Sequence, residues 1–88
     1  MVSKYLINQK NINLNDGLLF AAMYNQMNVI DYLLEKGANP DAALVGGAKR
    51  GRLNIVKYAI DKGAKDIDRA LEVVGLHKGV REYLLKFK

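Results

Sequence analysis

The chain has 88 residues, of which 50% are hydrophobic, and it contains one proline, no cysteine and a formal net charge of +5. This size and composition are typical of one folded domain with a modest core, and the lack of cysteine excludes disulfide bonds and thiolate metal sites. Because no segment is long and apolar enough for a membrane span or a signal peptide, the sequence predicts a cytoplasmic, intracellular protein that does not insert into a membrane.

Positive charge is concentrated in the second half of the chain. Residues 1–44 contain three lysines and four carboxylates, a net charge of −1, whereas residues 45–88 contain eleven Lys or Arg and five Asp or Glu, a net charge of +6. A basic surface of this kind attracts acidic protein surfaces, nucleic acid or anionic lipid, or it serves only to keep one face solvated.

A sequence repeat of about 26 residues runs through the chain. The segment MNVIDYLLEKGAN at 27–39 aligns with LNIVKYAIDKGAK at 53–65, and weaker copies begin at Val2 and Val80. A fixed period predicts a solenoid, in which each unit buries its apolar face against its neighbours. One tyrosine marks each copy, and we interpret the four as a packing ladder rather than a base-stacking surface: Tyr5, Tyr32, Tyr58 and Tyr83.

In chain order, the repeat predicts one short helix and then three helix pairs, about seven helices in all. Residue types that tolerate a left-handed backbone recur at equivalent positions, and we interpret them as helix stops. Those at the ends of units are Asn11, Gly37 and Gly63, and those in the middle of units are Asn25, Gly51 and His77. The single domain, residues 1–88, then divides into an N-terminal half repeat or cap (1–13), two repeats (14–39 and 40–65) and a C-terminal repeat or cap (66–88).

The two helices of each pair are predicted to differ in their apolar residues. The first carries small residues that allow close helix packing, with Gly46 and Gly47 as the smallest. The second carries a core stripe, which in successive units is Val29, Ile30, Leu33 and Leu34, then Ile55, Val56, Ala59 and Ile60, then Val80, Leu84 and Leu85. The predicted capping residues are Asp16, Asp41 and Asp68 for the first helices and Asn28 and Asn54 for the second.

The segments NQMNVIDYLLEKGAN and RGRLNIVKYAIDKGAK, with Ala21-Ala22 and Gly47-Ala48 upstream, resemble the ankyrin repeat family. The resemblance implies an all-α, short right-handed solenoid of antiparallel helix pairs. Two features differ from the family pattern: the T-P-L-H opening is missing, and the period is shorter than the usual 33 or so residues. The missing residues fall at 38–43 and 64–70, where the family has its finger loops, so we expect little or no strand.

Motifs for chemistry are weak in this chain. GGAKRGRL at 46–53 is similar to a phosphate-binding loop, but Arg52 and Leu53 replace the lysine and hydroxyl that such a loop needs. The acidic residues at 66–72 lack the glycine and glutamate of a calcium loop. With one histidine and one serine, the chain offers neither a metal cluster nor an activated nucleophile. We therefore predict no metal, no cofactor and no enzyme activity.

One basic cluster has no counterpart in the preceding unit: Lys49, Arg50, Arg52 and Lys57 align with Met23, Tyr24, Gln26 and Asp31. Stacking therefore does not require charge at these positions. The resemblance implies a module that binds an acidic protein partner, as an inhibitor or a scaffold. The alternatives are nucleic-acid binding without sequence specificity and a solvated face without a partner.

The predicted first helix has no pairing partner, which leaves apolar surface around Leu6 and Phe20 as a candidate dimer contact. Polar residues replace apolar ones at the two outer copies of the core stripe, where Ser3 and Arg81 stand. On balance the pattern favours a monomer over a homodimer formed through the N-terminal helix.

Overall fold

The computed structural model describes residues 13–87, and these form six helices and no strand. The elements are α1 (Leu14–Met23), α2 (Met27–Glu35), α3 (Pro40–Arg50), α4 (Leu53–Asp61), α5 (Ile67–Val73) and α6 (Lys78–Leu85). The prediction of an all-α fold built from three helix pairs with little or no strand is confirmed. The first of the seven predicted helices, which precedes Asn11, lies outside the described residues.

Helix starts use capping residues other than those predicted. The Asn13 side chain accepts a hydrogen bond from the Asn15 backbone N–H (2.8 Å), and Asn39 does the same for Asp41 (2.9 Å) at the start of α3. Asp16, Asp41 and Asp68 lie two or three residues after the N-cap residue, in the first turns of the first helices, where a carboxylate interacts favourably with the helix dipole. Asn28 and Asn54 likewise lie inside α2 and α4, which have no side-chain cap.

Most of the predicted helix stops are correct. Gly37 and Gly63 have φ values of 100° and 104°, and Asn25 and Gly51 have 59° and 71°. The exception is His77, whose φ is −79° and which precedes α6. In that unit the left-handed residue is Gly75 (φ 59°), because α5 ends early, at Val73. Asn11 lies outside the described residues.

The core is a single cluster in which both helices of every pair take part. Its largest fully buried side chains are Leu18, Ile30, Leu44, Ile55, Val56, Val74 and Leu84. Two residues of the predicted core stripes are instead exposed, Val29 by 43% and Leu85 by 52%. Val29 belongs to the first described pair, and its repeat equivalent in the second pair, Ile55, is fully buried.

Glycine lets α1 and α3 approach each other to backbone contact. A Cβ added at Gly46 would lie 2.4 Å from the Leu19 carbonyl oxygen and 2.9 Å from the Ala22 Cβ. A Cβ at Gly47 would lie 3.0 Å from the Ile55 Cγ2, on the side facing α4. The predicted role of small residues in the first helices is therefore confirmed, and Gly46 fixes the spacing of two successive repeats.

Hydrogen bonds hold the turns between successive helix pairs, where finger loops would stand. The Asn15 side chain accepts from the Asn39 backbone N–H (2.7 Å), and Asp41, at the equivalent position of the next repeat, accepts from Lys65 (2.6 Å) and Asp66 (3.1 Å). These bonds satisfy backbone donors at the short turns between the units. The predicted loss of the finger loops is confirmed for residues 13–87.

Candidate binding surface

The candidate binding surface lies at the tip of the second helix pair, where α3 ends and α4 begins. Lys49 and Arg50 are the last two residues of α3, and Arg52 is the residue just before α4. The turn between them is closed by the Arg52 backbone N–H, which donates to the Gly47 carbonyl at 2.7 Å. We name Lys49, Arg50 and Arg52 the hairpin-tip surface. The structure thus brings three of the four predicted residues together.

Lys49 and Arg50 are both exposed. The Arg50 guanidinium lies 5.5 Å from the centre of the Tyr24 ring, which belongs to the tip of the preceding pair. Lys49 makes no hydrogen bond, ion pair or ring contact within residues 13–87. Both charges are therefore directed to solvent, and neither is neutralised by a carboxylate of the described chain.

Arg52 has a structural role that the sequence did not reveal. Its side chain is half-buried, and its Nε and Nη2 atoms donate to the Met23 carbonyl at 3.4 and 3.3 Å. That carbonyl is one of the unpaired acceptors at the end of α1, so a cation there is favourable for the helix. Arg52 therefore joins two repeats in addition to carrying charge at the surface.

Lys57 lies one turn into α4 and contacts the next repeat rather than the tip. Its ammonium is 5.4 Å from the centre of the Tyr83 ring. In the preceding unit the equivalent residue, Asp31, accepts a hydrogen bond from the Tyr58 hydroxyl. In these two cases the residue before a repeat tyrosine thus contacts the tyrosine of the following repeat. The sequence shows the equivalence of the two positions, since Asp31 and Lys57 both directly precede a marker tyrosine, but not these contacts.

The contact between Asp31 and Tyr58 has a consequence for pH dependence. The carboxylate of Asp31, as hydrogen-bond acceptor, raises the pKa of the Tyr58 hydroxyl, with smaller contributions from burial and from the negative charges of Asp31, Asp61 and Glu35. A raised pKa favours the neutral phenol in the folded state. The resulting stabilisation is complete below the ordinary tyrosine pKa of about 10 and is lost as pH rises through the folded value.

We expect Tyr58 to ionise at higher pH than a free tyrosine and Asp31→Asn to lower that pKa, because the acceptor loses its charge. Absorbance titration of the parent and of Tyr58→Phe, subtracted from each other, isolates this one phenol. The same subtraction in the Asp31→Asn background gives the comparison. An unchanged Tyr58 titration in Asp31→Asn would show that the hydrogen bond does not control it.

The remaining motifs are accounted for by the fold. Gly46 and Gly47 lie inside α3 rather than in a loop, so the stretch resembling a phosphate-binding loop is not one. Asp66 caps α5 by accepting from the Arg69 backbone N–H at 3.4 Å. Among residues 13–87, no group of three His, Asp or Glu side chains is arranged to hold a metal ion. No helix among these residues has the length and apolar character needed to cross a membrane.

Of the two residues in the candidate dimer contact, only Phe20 lies among the described residues. Phe20 is 54% exposed on α1, as predicted for an uncovered face, whereas Leu6 lies outside the described residues. The preference for a monomer over a homodimer stays a prediction.

The described residues define a helical-repeat protein, in which pairs of antiparallel helices stack through equivalent side chains. Residues 15–42, which span α1, α2 and the start of α3, match the family model of the ankyrin repeat. The predicted resemblance to the ankyrin repeat family is confirmed for this segment. Searches of curated proteins and of solved structures gave no match. Ankyrin repeats are generally non-enzymatic modules for protein–protein interaction, and this fold indicates that class of function.

Proposed function

We propose that this protein docks on an acidic surface of a protein partner through the hairpin-tip surface, with Lys57 as a flanking charge. Docking would hold the partner in place or block one of its surfaces, as a scaffold or an inhibitor does. The observation that carries the proposal is the pair Lys49 and Arg50, two exposed and adjacent cations without a carboxylate partner in the described chain. Unpaired surface charge of this kind steers an oppositely charged partner and fixes its position.

The simplest competing explanation is helix stability. Cations in the last turn of a helix interact favourably with its dipole, by roughly 0.3–1 kcal/mol each when exposed. The first helices of the other two pairs have no basic residue in their last turn, yet they stack in the same way. Helix stability therefore does not require Lys49 and Arg50, and a binding role is the better account of them.

The test is charge reversal with a matched control. The double variant Lys49→Glu/Arg50→Glu reverses two charges of the hairpin-tip surface. It leaves Arg52 in place, because the Arg52 side chain donates hydrogen bonds to the Met23 carbonyl. The control is Lys62→Glu/Lys65→Glu, which makes the same change in net charge at the other end of the helix pair, about 16 Å away along an 11-residue helix. Each double variant also loses one contact between a cation and a tyrosine ring, since Arg50 contacts Tyr24 and Lys62 contacts Tyr58.

With a fluorescent polyglutamate peptide as the probe, we expect the tip variant to bind about tenfold or more weakly and the control to keep most of the parent affinity. Circular dichroism should show equal helix content in all three proteins. Equal loss in both variants, or no peptide binding by the parent, would contradict the proposal. A pull-down with the parent and the tip variant would then identify the partner.

Nucleic acid is the alternative that the same proteins can test. A nucleic-acid surface would retard arbitrary single or double strands at physiological salt, and its affinity would fall with a log–log slope of roughly 0.7–0.9 per phosphate neutralised. We expect no such retardation. If the parent bound random DNA strongly and in a salt-dependent way, and the tip variant did not, the partner would be a nucleic acid and not a protein.

A further inference from the structure

We infer that the hairpin-tip surface continues onto Leu76 and takes a peptide segment in which a large apolar side chain lies a few residues from an acidic one. This inference rests on the proposed function and narrows the chemistry of the partner. The surface has so far been defined by charge alone, and Leu76 adds an apolar contact to it. This contact would make the protein prefer some acidic segments over others.

Leu76 is the most exposed of the large hydrophobic residues among positions 13–87, at 94%. Its position follows from the early end of α5 at Val73, after which Gly75 takes a left-handed conformation and the chain turns outward before α6. The leucine side chain contributes almost nothing to packing, so the fold itself does not require an apolar residue there.

Leu76 belongs to the same edge of the protein as the hairpin-tip surface. The His77 ring lies against Gly51, with its Nδ1 2.5 Å from the place a Cβ on Gly51 would occupy. Leu76 directly precedes His77, and Arg50 directly precedes Gly51, and neighbouring Cα atoms are only about 3.8 Å apart. The second and third tips therefore touch at Gly51 and His77, and Arg50 and Leu76 are the residues that directly precede this contact in their own tips.

A second apolar group borders the cations on the opposite side. The Tyr24 ring, at the tip of the first pair, is 56% exposed and carries the Arg50 guanidinium above it. From the first tip to the third, the edge of the stack is thus aromatic, cationic and aliphatic. A purely acidic ligand would use only the middle of this surface, whereas an acidic residue flanked by an apolar one would use two parts of it.

The spacing of the helices limits where the apolar residue can stand. Packed helices lie about 8–10 Å apart and an extended chain advances about 3.3 Å per residue, so a segment crossing from one tip to the next spans about two to four residues. The carboxylate would locate the segment on Lys49 and Arg50, and burial of the apolar side chain against Leu76 would add affinity.

The test is a series of fluorescent peptides with two adjacent glutamates and one leucine, with the leucine moved from one to eight positions away in a Gly-Ser background. We expect binding to be strongest with the leucine two to four residues from the glutamates. Leu76→Ser should remove this positional preference and weaken the best peptide by about tenfold. The matched control, Leu85→Ser, changes another exposed leucine at the opposite end of α6 and should leave the preference intact.

The outcomes separate this inference from the proposed function. If polyglutamate binds and Lys49→Glu/Arg50→Glu abolishes it, but the position of the leucine or the loss of Leu76 makes no difference, the inference is wrong and the docking function stands. If no acidic peptide binds, the proposed function itself is wrong. If random single-stranded DNA displaces the best peptide at equal concentration, the surface belongs to a nucleic acid and the inference is wrong.

Discussion

Gly46→Ala should destabilise this protein by at least about 2 kcal/mol, although alanine is the better helix former by about 1 kcal/mol. The added methyl group would lie 2.4 Å from the Leu19 carbonyl oxygen, a distance that forces α1 and α3 apart. The obstruction is backbone, which cannot rotate away as a flexible side chain can. Separation of the two helices would also loosen the packing of Ala22 and Leu44, which are fully buried.

Gly79→Ala is the matched control for this prediction. Gly79 also lies within a helix, α6, but nothing is within 4 Å of a Cβ placed there. Alanine at that position should therefore stabilise the protein by up to about 1 kcal/mol, because it restricts the unfolded chain and favours the helix. Denaturant unfolding followed by circular dichroism measures both variants. A gain in stability for Gly46→Ala would mean that α1 and α3 are not in close contact.

Ile30→Ala is expected to cost about 2–5 kcal/mol, a large share of the stability of an 88-residue domain. The Ile30 side chain is fully buried in the core of the described chain, where alanine would leave a cavity. Thermal unfolding should show a midpoint lower by roughly 4–8 °C for each kcal/mol lost. A midpoint equal to that of the parent would place Ile30 outside the core.

Two neighbours provide a scale for the Ile30 result. Leu33, in the middle of the predicted core stripe, is half-buried and packs on the edge of the core, so Leu33→Ala should cost less than Ile30→Ala. Val29 is exposed, and Val29→Ala should cost under about 1 kcal/mol. The three residues lie on one helix, so the order of their effects tests which face of α2 points inward.

The order of helices and turns could be predicted because the repeat supplies several aligned examples of each position. Asn25 and Gly51 align, and both have the left-handed backbone expected of their residue types. The prediction was wrong at His77, since alignment assumes helices of equal length and α5 ends early. It was also wrong at Val29, which is 43% exposed although its aligned equivalent, Ile55, is fully buried, because residue type and alignment alone do not determine burial.

The candidate site was predictable in its charge but not in its contacts. Lys49, Arg50 and Arg52 are close in sequence, so a helix end and a short turn were enough to bring them together. The bond from Arg52 to Met23 and the contact of Lys57 with Tyr83 depend on which side chains of successive repeats face each other. That information resides in the packing of helices from different units. The exposure of Leu76 could not be predicted either, because it follows from the early end of α5 at Val73.

The hydrogen bonds described above that join positions about one repeat apart all have their donor later in the chain than their acceptor. Asn39 donates to Asn15, Arg52 to Met23, Tyr58 to Asp31, and Lys65 and Asp66 to Asp41. In each case the acceptor precedes its donor in the chain, by 24 to 29 residues, which is about one repeat. During synthesis the N-terminal part of a chain emerges first. Each acceptor has therefore already left the ribosome when its donor, about one repeat later, is synthesised, so these hydrogen bonds can form in the order of translation.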